Sequence, residues 1–147
     1  MLNKLIIQSR LTLIHDCIEQ LMRLGAMRRA DFVGNKDIVA ATESYLRRSL
    51  EAIFDVGRHI LARSGGADLA TEYKGIAKGL GDRGVVSQRL ATTLVAMAGY
   101  RNRLVHLYHH VQDEELYEIL QSDLRDIELF VCEITAYMER VGGAAIE

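Results

Sequence analysis

Arg101-Asn102-Arg103-Leu104-Val105-His106-Leu107-Tyr108 gathers guanidinium, amide, imidazole and phenol side chains into one short stretch. A neutral imidazole can take the proton from a ribose 2′-hydroxyl, and a protonated one can supply it to a leaving oxygen. An arginine can hold the scissile phosphate and stabilise the charge growing on it. Asn102 could orient either group, and Tyr108 could donate to a phosphate oxygen. Together these residue types suit RNA cleavage that needs no metal and no cofactor.

The spacing complicates that chemistry. Projected at about 100° per residue, Leu90, Leu94, Met97, Leu104, Val105 and Tyr108 fall within roughly 60° of one direction. Arg101 sits at the centre of this apolar stripe, where an unpaired guanidinium costs several kcal/mol to desolvate. It is therefore either used in a site or paired structurally with a core carboxylate such as Glu51 or Asp55. Arg101 and His106 point about 140° apart on a regular helix, while Asn102, His106 and His109 share a face. Two arrangements would reunite them. Gly99 could loosen the helix so that Arg101 swings round, or two copies of the helix could meet across a symmetric interface. The second also accounts for polar groups on a face that should be buried, and it is preferred.

Other constellations read more plainly. His106 and His110 have the i, i+4 spacing of many zinc sites, but no glutamate lies between them and no third ligand is evident. Surface or interface histidines are the better reading, and no metal is expected. Arg23, Arg28, Arg29, Arg47 and Arg48 could contact phosphates, though such residues are more often a solvated face with acidic neighbours. Gly75, Gly79, Gly81 and Gly84 follow no phosphate-loop pattern and read as turns.

The chain that must position the motif has 147 residues, suiting one domain over 1–147. A domain of this size buries roughly two-thirds of the surface its unfolded chain exposes. Proline is absent, which favours long helices with short connections. A net charge of −2 leaves nucleic-acid binding to a local basic patch. Cys17 and Cys132 are expected as buried free thiols in a reducing cytoplasm. No stretch approaches a membrane span, and the N-terminal residues lack the apolar core and cleavage site of a signal peptide.

Apolar periodicity predicts five helices. The first covers about residues 2–24, and a connection follows in which Phe32 and Val33 tuck onto the core. The second covers about 37–63, and a short third covers 69–80, closed by Gly79 and Gly81. The fourth starts near Ser87, its N-cap, and carries the motif. The fifth covers about 113–140, before a frayed tail over 141–147. No strand is predicted. The expected architecture is an all-α, mostly up-and-down bundle of about five helices.

The motif resembles the signature of HEPN-domain proteins: an arginine, a polar residue, variable positions, then histidine. It is similar in particular to the HepT branch, toxins of HepT/MntA toxin–antitoxin modules, in which a tyrosine follows the histidine by two places. Ser49 through Leu61, Leu94 through Tyr100 and His110 through Leu120 resemble the flanking segments of that branch, so the likeness covers nearly the whole chain. The resemblance implies a homodimeric helical bundle with metal-independent endoribonuclease activity. Arg101 and His106 would be catalytic, Asn102 supporting, and Tyr108 the target of AMPylation by an MntA-like nucleotidyltransferase antitoxin. Many relatives carry prolines around the short third helix, and this chain has none.

Overall fold

The computed structural model describes residues 2–63, 72–106 and 111–146, with side chains described up to Gly142. Every regular element among them is helical: α1 Lys4–Gly25, α2 Arg29–Phe32, α3 Lys36–Arg63, α4 Tyr73–Asp82, α5 Gln88–His106, α6 Asp113–Ser122 and α7 Leu124–Ile146.

The starts of α1, α3 and α5 are set by side-chain caps that satisfy otherwise orphaned backbone N–H groups. Asn3 Oδ1 accepts from the Ile6 N–H at the start of α1, and Asn35 Oδ1 from Ile38 at the start of α3. Ser87 Oγ accepts from the Leu90 N–H at the start of α5, as the sequence predicts.

Among the described residues there are seven helices where about five are expected, for identifiable reasons. Arg29 to Phe32 close one helical turn in the first connection, and this turn drives Phe32 fully into the core with Val33 packed beside it. The expected last helix is two helices broken at Asp123. Its N–H bonds Ile119 O at 2.9 Å and its own carbonyl accepts from Asp126, so the chain turns without losing its apolar period. Leu120, Leu124 and Ile127 remain buried on both sides of that break, which hides it from a periodicity argument. The short helix does not close at Gly79 and Gly81; both lie inside α4, as does Gly75. α7 continues past 141 to Ile146, and Gly142 is buried beside the Lys4 side chain.

One apolar core joins these helices. Phe32, Phe54 and Phe130 are fully buried with Ile7, Ile14, Leu21 and Ile53. Burial of each such side chain contributes about 1.5–3 kcal/mol. α1 packs along α3 and α7, and α4 packs against α5 and α3. Glycine sets the closeness of α4: a Cβ at Gly57 would stand 2.5 Å from Ile76 Cγ2. Cys17 is buried in this core as expected, whereas Cys132 is exposed because it falls on the outer side of α7. No described helix is long and apolar enough to cross a membrane.

Candidate active site

α5 carries Arg101, Asn102, Arg103 and His106 as one uninterrupted helix. Its start is held from α7. Glu133 Oε1 accepts the Ser87 N–H at 2.6 Å and Oε2 accepts the Ser87 hydroxyl at 3.1 Å, so one carboxylate holds the cap residue twice. Leu90, Ala91, Leu94, Ala98 and Leu104 bury its inner face. This register turns Arg101 toward α3 and α4.

Arg101 lies in a polar pocket within that apolar surround. Its side chain is only 14% exposed. Nε donates to Glu51 Oε1 at 2.7 Å, and Nη2 lies 2.7 Å from the same oxygen in the ion pair. Nη1 donates to Asn102 Oδ1 at 3.2 Å. The guanidinium lies over the Tyr73 ring, 4.2 Å from its centre. The Tyr73 hydroxyl donates to the other carboxylate oxygen of Glu51 at 3.3 Å, and Phe54 meets the same ring edge-on. Of the two carboxylates foreseen for Arg101, Glu51 is the partner. Asp55 instead accepts from Arg58 at 3.1 Å and faces Arg10 at 3.7 Å.

Arg103, two residues on, faces a different partner. Its two terminal nitrogens donate to the two oxygens of Glu115 at 2.6 and 2.9 Å, which joins the end of α5 to α6. That bond holds the Arg103 charge more firmly than usual. Beside it, burial pushes the Tyr100 phenol well above its ordinary range, with Glu115 adding to the effect.

Asn102 and His106 are exposed, and His106 is the last residue of α5. Arg101 and Asn102 are therefore in contact, but the unbroken helix sends Arg101 and His106 about 140° apart. The loosened helix considered for Gly99 is not present: Gly99 lies inside α5 with helical residues on both sides. Tyr108, His109 and His110 lie outside the described residues. Among the described residues no three His, Cys, Asp or Glu side chains are grouped to hold a metal ion.

The other arginines fit a solvated face. Arg28 pairs with Asp31, Arg29 with Glu118, Arg23 with Gln20, and Arg48 lies over Tyr45. The sequence reading missed Tyr73 altogether. No local pattern marks it, because its role arises only where α4 crosses the α3–α5 seam. Arg103–Glu115 was missed for the same reason: the partners belong to different helices.

Fold and site together define an all-helical protein whose motif helix presents a carboxylate-held arginine beside an exposed amide and imidazole. The family model described as ribonuclease HepT-like matches residues 14–134, and the chain belongs to that family. A curated relative, "tRNA nuclease HepT" of Aphanizomenon flos-aquae, is 26% identical over 133 residues, covering 90% of each chain. A solved structure of a tri-AMPylated HEPN toxin of Shewanella oneidensis in complex with MNT antitoxin is 24% identical, with a TM-score of 0.79 over 89% of this chain and 97% of that one. A cytosolic protein of unknown function from Bacillus subtilis, YutE, shares the fold at 20% identity, with a TM-score of 0.70 over 90% of this chain and 91% of its own.

Proposed function

We propose that this protein is a metal-independent endoribonuclease, the toxin of a toxin–antitoxin module. It works as one domain over 1–147, in the cytoplasm, with Arg101 and His106 cutting RNA at the cleft of a homodimer and Asn102 supporting them. The observation that carries this reading is Arg101: a nearly buried guanidinium, held by Glu51 and Asn102, on the helix that also ends in His106. It lies in a chain of the HepT-like ribonuclease family.

The chemistry follows from the groups. The ribose 2′-oxygen attacks the adjacent phosphorus as its proton passes to a base. The bond to the 5′-oxygen breaks as that oxygen gains a proton. A 2′,3′-cyclic phosphate and a 5′-hydroxyl result, with no water consumed. His106 would supply one of these proton transfers. Arg101 would neutralise the charge on the non-bridging phosphate oxygens. The divergence of Arg101 and His106 on one straight helix supports a cleft built from two chains, in which each copy of α5 completes the other. A relative named as a tRNA nuclease makes tRNA the first substrate to test.

Regulation would act at Tyr108. In the proposed step an MntA-like nucleotidyltransferase directs the tyrosine oxygen onto the α-phosphorus of ATP, and pyrophosphate leaves. The attached AMP would then fill the cleft and offset the Arg101 charge. The AMPylated state of the Shewanella toxin supports this reading.

A second reading has the Arg101–Glu51 pair in its favour: a non-catalytic helical dimer that binds a nucleotidyltransferase, with Arg101 serving structure. Expression without the antitoxin separates the two. Growth arrest and tRNA cleavage by wild type, both abolished in His106→Ala, support the nuclease. Equally harmless wild type and variant, with no RNA cut by either, would remove the enzyme claim. Mass increments of AMP on co-expression that vanish in Tyr108→Phe would support the modification site.

A further inference from the structure

Arg101 has five N–H groups, and the structure shows how they are divided. The Nε–H goes to one oxygen of Glu51, which Nη2 also approaches at 2.7 Å, and an Nη1–H goes to Asn102. Among the described residues the remaining N–H groups of the two terminal nitrogens have no other hydrogen-bond acceptor, and these are what a phosphate could take. One face of the guanidinium rests on Tyr73 at 4.2 Å. Tyr73 is tied to the same carboxylate through its hydroxyl. The arrangement is closed: Glu51 holds the edge of Arg101 with one oxygen and the platform beneath it with the other.

We infer that Glu51 is a positioning residue, which with Tyr73 locks Arg101 so that only its terminal N–H groups are offered to an RNA phosphate. The inference rests on the nuclease reading for its substrate, but not for its geometry.

Two opposed effects must be weighed. A carboxylate beside the arginine reduces the net attraction for a phosphate. It also prevents a flexible side chain from choosing among many poses, and orientation is worth more in the transition state than in the ground state. At 14% exposure Arg101 has little water to take the place of a lost partner, so without Glu51 it would turn away from the pocket. Orientation therefore dominates, and the loss should fall on kcat more than on KM. Asp55 cannot substitute, because Arg58 and Arg10 already occupy it.

The test uses the full chain and tRNA, with Glu51→Ala, Glu51→Gln, Arg101→Ala and the double variant Glu51→Ala/Arg101→Ala. Glu51→Ala should lower kcat by about 10–100-fold with KM changed less than about 3-fold. Glu51→Gln keeps an acceptor oxygen and should lose only about 3–10-fold. The double variant should be no slower than Arg101→Ala alone, because Glu51 acts through Arg101. A separate readout needs no activity: the Arg101 Nε–H resonance should exchange slowly with solvent in wild type and rapidly in Glu51→Ala. Undiminished kcat in a folded Glu51→Ala, a further loss in the double variant, or an unchanged Nε–H signal would each overturn the inference. Should Glu51→Ala not fold, Glu51→Gln carries both readouts, and an unchanged kcat together with an unchanged exchange rate would overturn it. Wild type that cuts no RNA would instead sink the nuclease reading, and the Nε–H signal alone would then decide the role of Glu51.

Discussion

Arg101 shows why a positive charge alone does not describe its part in the site. Its fork satisfies Glu51 and Asn102 at once and still leaves terminal N–H groups with no other acceptor among the described residues, while the guanidinium lies over Tyr73. A lysine ammonium has three donors at one point and no planar edge. Arg101→Lys should therefore keep the fold and the local charge yet lose on the order of 10²-fold in cleavage rate. Circular dichroism and tRNA cleavage, measured side by side, check both halves; near-wild-type cleavage by a folded Arg101→Lys would mean that simple charge suffices. The cost of burying Arg101 was legible in the sequence, because an arginine at the centre of an apolar stripe demands a partner. Glu51 and Asp55, one helical turn apart, stand in the sequence as examples of such a partner, and helix rotation selects Glu51. Tyr73 was not legible, since nothing near residue 73 records that α5 will pass over it.

Among the helices, glycine does two different jobs that spacing cannot separate. A methyl group at Gly57 would meet Ile76 Cγ2 at 2.5 Å and Leu80 Cδ1 at 3.0 Å, so Gly57 sets the approach of α4 to α3. Gly99, inside α5, has nothing within 4 Å of such a methyl. Gly57→Ala should destabilise by about 1–3 kcal/mol through overpacking. Gly99→Ala should stabilise by about 0.5–1 kcal/mol by raising helix propensity. Urea unfolding of both variants measures the contrast. Gly99→Ala also bears on the site: if a loosened α5 were needed to bring Arg101 toward His106, it would abolish cleavage, whereas a straight α5 leaves cleavage intact. The same ambiguity explains the misplaced helix ends. Gly79 and Gly81 read as stops but are buried inside α4, where Gly81 lies close against Ala91, and the apolar repeat runs on through the break at Asp123. Periodicity reports which face is buried, and a one-residue turn that keeps the face leaves no trace in it.

Over the whole molecule, two properties exceed any one helix. The first is a pH dependence with opposed parts. His59 Nε2 accepts the Asn3 N–H at 3.1 Å, joining α3 to the start of α1. Burial, then Arg63 and the N-terminus, push its pKa below the ordinary 6.5. A histidine so lowered stabilises the fold fully above about 6.5 and loses that contribution as pH falls through its folded value. Glu43 and Asp123 are shifted upward, first by burial and then by Asp113 and Asp126 respectively, so their contribution is present at acid pH and is lost as pH rises through their folded values. The unfolding midpoint should therefore fall between pH 7 and pH 5.5 by more in wild type than in His59→Gln; equal falls would remove His59 from the account. The second is the proposed dimer. One α5 cannot aim Arg101 and His106 at a single phosphate without bending, and it is continuous from Gln88 to His106. If the active unit is a dimer sharing sites, Arg101 of one protomer works with His106 of the other. Arg101→Ala and His106→Ala would then each be inactive alone, but a mixed dimer would hold one site with neither residue lost. Unfolding the two variants together and refolding them should restore about a quarter of wild-type cleavage, since half the dimers are mixed and each keeps one of two sites. A site contained in one chain would restore none, because each chain would still carry its own defect. The angle between two side chains on one helix thus becomes a count of how many chains a working site needs.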